Sequence, residues 1–320
     1  MAKPIPNPLP HFVYPPIPEA VHPYFQDASH HPFRYGATAF EPVNAWWLAE
    51  AALLAYADPT LARNAFGKAG LVLAGDQPFR GPSTDCYVAH CDNFVIVAFR
   101  GTQVFRPGTD HLKVLREVLP DLGADAKFCL EDVEGGGCVH SGFRSALDEI
   151  WTPLVACLQH LVKERPKRTF WFTGHSLGAA LATLAAARYP GVRGLYTFGS
   201  PLVGDAEFAK RLKVPAYRFV NNNDLVTQVP PLGRYKARQG HGSYQHVGVE
   251  KYIDSRGQIG GAKSTLDAFR GVLDNVKDGL REIGGHGWIT RQPLDSFNDH
   301  GPLYYALHVW NNYESSRLRQ

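Results

Sequence analysis

No apolar run in this chain of 320 residues approaches the roughly 18–20 residues that a membrane-spanning helix needs, so no transmembrane segment is expected. Long stretches of Lys and Arg are also missing, and the net charge is only +3, which speaks against a nucleic-acid partner. The sharpest basic cluster, Lys163-Glu164-Arg165-Pro166-Lys167-Arg168, reads as a solvated helix end, where cations are favoured. Behind Met1-Ala2-Lys3-Pro4 there is no apolar h-region. The reading is therefore a cytoplasmic protein, or a secreted one whose signal has been removed. No Cys-x-x-Cys pair exists among the five cysteines, Cys86, Cys91, Cys129, Cys138 and Cys157. Zinc and thiol-redox chemistry are not expected, and buried free thiols are, although one disulfide stays open. No metal or cofactor is called for. Internal repeats and interdomain linkers are absent too, so the expected organisation is one domain over 1–320.

What is present fits an ordinary globular protein with a sizeable core: 44% of residues are hydrophobic and 20% charged. Residues 1–41 form an extended arm, because nine prolines between Pro4 and Pro32 fix φ and remove backbone donors. Phe12, Tyr14, Tyr24 and Phe25 punctuate the arm and are expected to anchor it on the domain. A helix starts at Pro42 and is stopped by Asp58-Pro59. Residues 85–90 and 94–99 flank Asp92-Asn93 as a hairpin, and the second of them is apolar throughout, as a central strand covered on both faces would be. Strands and helices then alternate: a helix from about Ser145 to Lys163, a strand over 169–173, a helix over 179–188, a strand over 194–198, a helix over 205–212 and a strand over 216–220. This alternation predicts an α/β fold with a mostly parallel central sheet and helices on both faces. A further strand is read around Tyr244 to Gly248, a helix from Ser264 to about Ile283, and a last helix from Leu303.

The chemistry centres on Gly174-His175-Ser176-Leu177-Gly178. An apolar strand runs into this motif and an alanine-rich helix runs out of it, the setting a nucleophile elbow requires. The glycines remove side chains that would clash, and Ser176 is left to project at the sheet edge above a helix N-terminus. A nucleophilic serine needs a base, and the base needs an orienting carboxylate. In this setting the chain order is serine, acid, histidine. Asp224, after the strand ending near Val220, is the acid. Three histidines follow it in suitable places, His246, His300 and His308. His300 rides on a loop before a helix and is the preferred base. The oxyanion donors are the backbone N–H of Leu177 and that of Thr102, in the loop Arg100-Gly101-Thr102-Gln103.

Together these blocks resemble the class 3 lipase family, the fungal-lipase-like branch of the α/β-hydrolases. The resemblance is carried by Phe99-Arg100-Gly101-Thr102, Val139-His140-Ser141-Gly142-Phe143, the elbow with Ala179-Ala180-Leu181-Ala182 behind it, Phe198-Gly199-Ser200-Pro201-Leu202-Val203-Gly204, Phe219-Val220-Asn221-Asn222-Asn223-Asp224 and Asp299-His300. It covers about residues 43 to 310. It implies an α/β-hydrolase fold and a lipase-type carboxylic ester hydrolase acting on an ester or lipid substrate. It also implies His300 as the catalytic histidine and a structural place for His246. The family's lid, a short helix after the oxyanion loop, is matched by Leu112, Leu115, Val118, Leu119 and Leu122 at helical spacing. Such a helix would open at a lipid–water interface. The arm, the stretch between Thr102 and Asp125 and the stretch from about Gly257 to Asn298 depart from the family pattern. A short-chain or feruloyl-type esterase on the same machinery, and a catalytically silent binding protein, stay open as alternatives. The oligomeric state is not legible.

Overall fold

A computed structural model of the protein describes residues 15, 17–102, 130–230, 235–237, 240–261 and 299–319. Its main sheet has nine strands. In chain order they are β1 (Val72–Leu73), β2 (Phe79–Arg80), β3 (Asp85–His90), β4 (Phe94–Phe99), β5 (Thr169–His175), β6 (Val192–Phe198), β7 (Ala216–Asn221), β8 (Val249–Ile253) and β9 (Ile259–Gly260). They lie in the order β1-β3-β4-β5-β6-β7-β8-β9, with β2 also on β3. The five strands from β4 to β8 are parallel. The pairs outside them are antiparallel. All six side chains of β4 are buried, as its unbroken apolar sequence requires.

Six α-helices lie among the described residues, α1 (Pro42–Leu54), α2 (Pro59–Lys68), α3 (Ser141–Glu164), α4 (Leu177–Arg188), α5 (Ala206–Arg211) and α6 (Pro302–Arg317), and all but α5 pack on this sheet. Side chains alternate across a strand, and β5 shows which helices cover which face. Thr173 donates its hydroxyl to the Leu48 carbonyl of α1 at 2.9 Å. Its neighbour Phe172 points the other way, to Phe99 and to Tyr189 at the end of α4. Thus α1 and α6 form one layer, joined by Trp46 and Trp310 at 4.6 Å, and α3 and α4 form the other. Every residue of α1 from Val43 to Leu54 is buried, since the sheet lies below it and α6 and the arm lie over it.

The described part of the arm is held by side chains rather than by sheet pairing. Phe25 packs on Trp46, Trp47 and Phe66. Phe33 packs on Phe94 and Trp171. His22 is within 3.0 and 2.9 Å of the two Glu50 carboxylate oxygens. Tyr24 is buried and donates to the Ile17 carbonyl at 2.9 Å. Phe12 and Tyr14 lie outside the described residues.

Four features depart from the sequence expectations. Asp58-Pro59 does more than end α1. Asp58 accepts from Thr60 and Leu61 N–H at 2.9 and 3.1 Å and so caps α2, with Pro59 in its first position. Helix α3 begins at Ser141 rather than near Ser145, because His140 Nδ1 accepts from Gly142 and Phe143 N–H in place of the usual hydroxyl or carboxylate cap. The strand around His246 stops at Gln245. That strand is the edge of a second sheet, in the order Gly240–Gly242, Tyr235–Ala237, Leu130–Asp132, Cys138–His140, Gly204–Asp205, Tyr244–Gln245, whose other strands escaped the pattern reading. Its strands of two or three residues are too short to show alternation. The expected lid helix around Leu112 to Leu122, the helix from Ser264 to Ile283 and Cys129 lie outside the described residues. Cys86, Cys91, Cys138 and Cys157 are free thiols.

Candidate active site

The site forms where the parallel strands end. β5 carries its last residue, His175, straight into Ser176, which adopts φ 59° and ψ −129° before α4 begins at Leu177. This backbone region is strained for a residue with a Cβ. Close approach on both sides holds it there. A Cβ on Gly174 would sit 2.3 Å from the Gly178 carbonyl oxygen, and one on Gly178 would sit 2.1 Å from the Phe99 carbonyl oxygen. The motif glycines are therefore set by the packing of α4 against β4 and against the turn itself. Ser176 N–H donates to the Phe198 carbonyl at 3.0 Å, which ties the elbow to the end of β6.

Asp224 and His300 meet at the same sheet edge. Asp224 follows β7 and opens a short 3-10 turn, where its Oδ1 accepts from Val226 N–H at 2.9 Å. His300 Nδ1 lies 2.8 Å from Asp224 Oδ2 and 2.9 Å from Oδ1, and both side chains are fully buried. A third donor, Tyr305 Oη on α6, reaches Asp224 Oδ2 at 2.5 Å. The Tyr305 hydroxyl in turn accepts from Asn221 N–H at 3.0 Å. Burial, followed by the Asp224 charge, raises the Tyr305 pKa well above the phenol range, so it stays a donor. Gly199, after β6 at φ 59°, flanks the pair: a Cβ there would meet Asp224 Oδ2 at 2.8 Å and the His300 ring at 3.0 Å.

The asparagine run before Asp224 fixes the loop that carries His300. Asn221 Nδ2 donates to the Asp299 carbonyl at 2.9 Å. Asn222 Nδ2 and Asn223 N–H donate to Asp299 Oδ2 at 3.0 and 3.1 Å. The four consecutive residues 221–224 thus hold the backbone and carboxylate of Asp299 and the ring of His300. The sequence named Asp224 for its chemistry, but the clamp formed by its asparagine neighbours was not read from it.

The other two histidines stand elsewhere. His246 is half-buried. Burial first, and then Arg218, push its pKa down to about 3. His308 sits on α6, stacked on Tyr304 and close to Gly257. Leu177 is half-buried at the first position of α4, where a backbone N–H has no partner within the helix. Gly101 lies beside Ser176, 3.1 Å from its Cβ on the same measure as above. Thr102 follows it. Among the described residues the buried hydroxyls of Ser176 and Thr102 have no hydrogen-bond partner, so two polar groups at this corner are left for something else to satisfy. Within the same residues no His/Cys/Asp/Glu group could hold a metal ion, and no helix is long and apolar enough to cross a membrane.

A strained serine between a parallel strand and a helix, with an acid after a later strand and a histidine on the last loop, defines an α/β-hydrolase. Residues 96–233 match the family model for class 3 lipases. The secreted mono- and diacylglycerol lipase A of Penicillium cyclopium is 31% identical over 220 residues, 64% of this chain and 65% of that protein. The secreted mono- and diacylglycerol lipase 1 of Fusarium solani is 35% identical over 129 residues, 38% of this chain and 36% of that protein. The chain thus spans between about a third and just under two thirds of the length of these curated relatives. Among solved structures, lipase II from Rhizopus niveus superposes with a TM-score of 0.52 at 25% identity, covering 68% of this chain and 83% of that one. A triacylglycerol lipase described as having a serine protease triad superposes at 0.51 with 26% identity, covering 68% and 82%.

Proposed function

We propose that the chain is a serine carboxylic ester hydrolase of lipase type. Ser176 attacks the ester carbonyl, His300 takes its proton, and Asp224 holds the imidazole and balances the charge that develops on it. The backbone N–H groups of Leu177 and Thr102 receive the oxyanion, and His300 returns its proton to the leaving alcohol. Water then attacks the acyl-enzyme with His300 again as base. The observation that carries this reading is the strained Ser176 at φ 59° at the same strand ends as a fully buried His300–Asp224 pair.

The substrate class follows from the relatives. Two are described as acting on mono- and diacylglycerols and one neighbour as a triacylglycerol lipase, so acylglycerol esters are the proposed substrates. A helical lid over the site belongs to the same proposal. Ser176 is only 1% exposed, which fits a covered site that an apolar interface would help to open.

The test has two arms. A fluorophosphonate should label the wild-type protein and leave Ser176→Ala unlabelled; an unlabelled wild type overturns the enzyme reading and favours a silent binding protein. Hydrolysis should then be measured over ester chain length, below and above substrate solubility. A rate that climbs as long-chain acylglycerols form an interface supports the lipase. Activity confined to short-chain or aromatic esters would replace it by an esterase.

A further inference from the structure

His175 precedes Ser176 in the chain, yet it faces the opposite partner. It is 2% exposed and uses both ring nitrogens. Nε2 lies 2.8 Å from the His300 backbone carbonyl oxygen, and Nδ1 lies 2.9 Å from Tyr56 Oη at the end of α1. A carbonyl oxygen only accepts, so Nε2 must carry the hydrogen. In the neutral ring Nδ1 then accepts, and the Tyr56 hydroxyl donates to it. Gly101 packs against the same oxygen, since a Cβ there would sit 2.1 Å from Tyr56 Oη. The hydrogens therefore point one way, from Tyr56 O–H to His175 Nδ1 and from His175 Nε2–H to the His300 carbonyl, with Gly101 packed at the Tyr56 end.

We propose that Tyr56 and His175 are positioning residues that tie the oxyanion loop, through Gly101, to the loop carrying the general base, so that the residue before the nucleophile sets the reach from Ser176 to His300. This inference rests on the proposed triad. Asp224 holds the His300 ring and His175 holds its backbone, so both degrees of freedom of the base are restrained. Distance matters here, because a displacement of about 1 Å between reacting groups costs on the order of 10²-fold in rate.

His175 must also stay neutral. Its ring centroid is 4.5 Å from that of His300, and a charge there would oppose the imidazolium that forms as Ser176 attacks. Burial first, and then the proximity of His300, hold its pKa well below the usual imidazole range. Tyr56 is buried as well, which raises its pKa and keeps its hydroxyl protonated as the donor. The chain order His-Ser in the motif was visible in the sequence. The partners of His175 were not, since they come from α1 and from the far end of the chain.

The test compares wild type, Tyr56→Phe, His175→Leu and His175→Gln on a water-soluble short-chain nitrophenyl ester, with active serine counted by fluorophosphonate labelling. Tyr56→Phe removes one oxygen and should lower kcat per labelled serine on the order of 10²-fold with KM unchanged. His175→Gln keeps a side-chain N–H for the His300 carbonyl and should recover part of the loss seen in His175→Leu. Nitrogen-15 spectra of histidine-labelled wild type should show His175 as the Nε2–H tautomer through neutral pH, with that preference lost in Tyr56→Phe. Unchanged kcat in Tyr56→Phe, glutamine no better than leucine, or the opposite tautomer would each overturn the inference while the triad stands. A wild type that neither labels nor turns over defeats the triad reading itself, and the positioning role with it.

Discussion

Two of the histidine–carboxylate pairs buried among the described residues, His300–Asp224 and His22–Glu50, are nearly the same in local geometry. His300 lies 2.8 and 2.9 Å from the oxygens of Asp224; His22 lies 3.0 and 2.9 Å from those of Glu50. Each carboxylate takes another donor from an aromatic side chain, Tyr305 Oη at 2.5 Å in one case and Trp46 Nε1 at 3.1 Å in the other. The surroundings differ. His300 flanks Gly199 at the strand ends where Ser176 is held at φ 59°. His22 stands edge-on to Tyr24, on an arm folded over α1, and its Nδ1 has no partner among the described residues. A histidine–acid pair is thus first a way to bury two polar side chains. In the proposed mechanism it becomes part of a machine only where the backbone brings a nucleophile to the same strand ends.

The largest expected effect breaks the first pair without disturbing its shape. Asp224→Asn keeps one oxygen, enough for Val226 N–H or for Tyr305 but not both, and loses the charge that fixes the His300 tautomer. In a serine protease triad this change costs about 10⁴ in kcat. A comparable loss is expected here, read as kcat on a soluble ester, with the thermal midpoint close to wild type. Activity within tenfold of wild type would deny Asp224 its role. Glu50→Ala is the mirror experiment. It leaves His22 and Trp46 Nε1 as buried groups without an acceptor, at about 1–3 kcal/mol for each. Urea unfolding should show that loss while kcat per labelled serine is retained. A catalytic defect in a stably folded Glu50→Ala would show that the arm pair reaches the active site after all.

The contrast also shows how far the sequence could be read. Ser176 and Asp224 were legible because their settings are local: a strand into a glycine turn into a helix, and a carboxylate just past a strand. The parallel order of β4 to β8 was legible from alternation. The choice among three histidines rested on a loop placement and a family resemblance, and the pairing of His300 with Asp224 now supplies a geometric reason. The arm pair was invisible. His22 sits among prolines, and Glu50 reads as an ordinary polar interruption of an apolar helix; only tertiary packing, 28 residues apart in sequence, joins them. Helix α2 was lost for the opposite reason, since Asp58-Pro59 is both a stop and a start. The asparagine clamp on Asp299 and the bonds of His175 span more than 70 residues, beyond the reach of any window of periodicity.

The smallest expected effect concerns a histidine that lies near an arginine rather than an acid. His246 faces Arg218, which is itself paired with Glu250 at 2.6 Å, and its pKa is pushed down to about 3 by burial first and by Arg218 second. In the unfolded chain the same ring titrates near 6.5. Between these values the unfolded state binds a proton that the folded state refuses, so stability rises with pH across the window and is lost as the pH falls from about 6.5 toward 3. One such group contributes a slope of at most about 1.4 kcal/mol per pH unit. Urea midpoints measured from pH 7 to pH 4 should fall with acid, and His246→Asn should flatten that fall while keeping turnover at neutral pH. An unchanged slope would mean that His246 accepts its proton in the folded protein, and a loss of turnover would reopen its claim to be the base. His300 is held by the Asp224 carboxylate, whereas His246 faces the Arg218 cation, which opposes a charge on its ring. Only the first arrangement suits a ring that must take a proton from a serine.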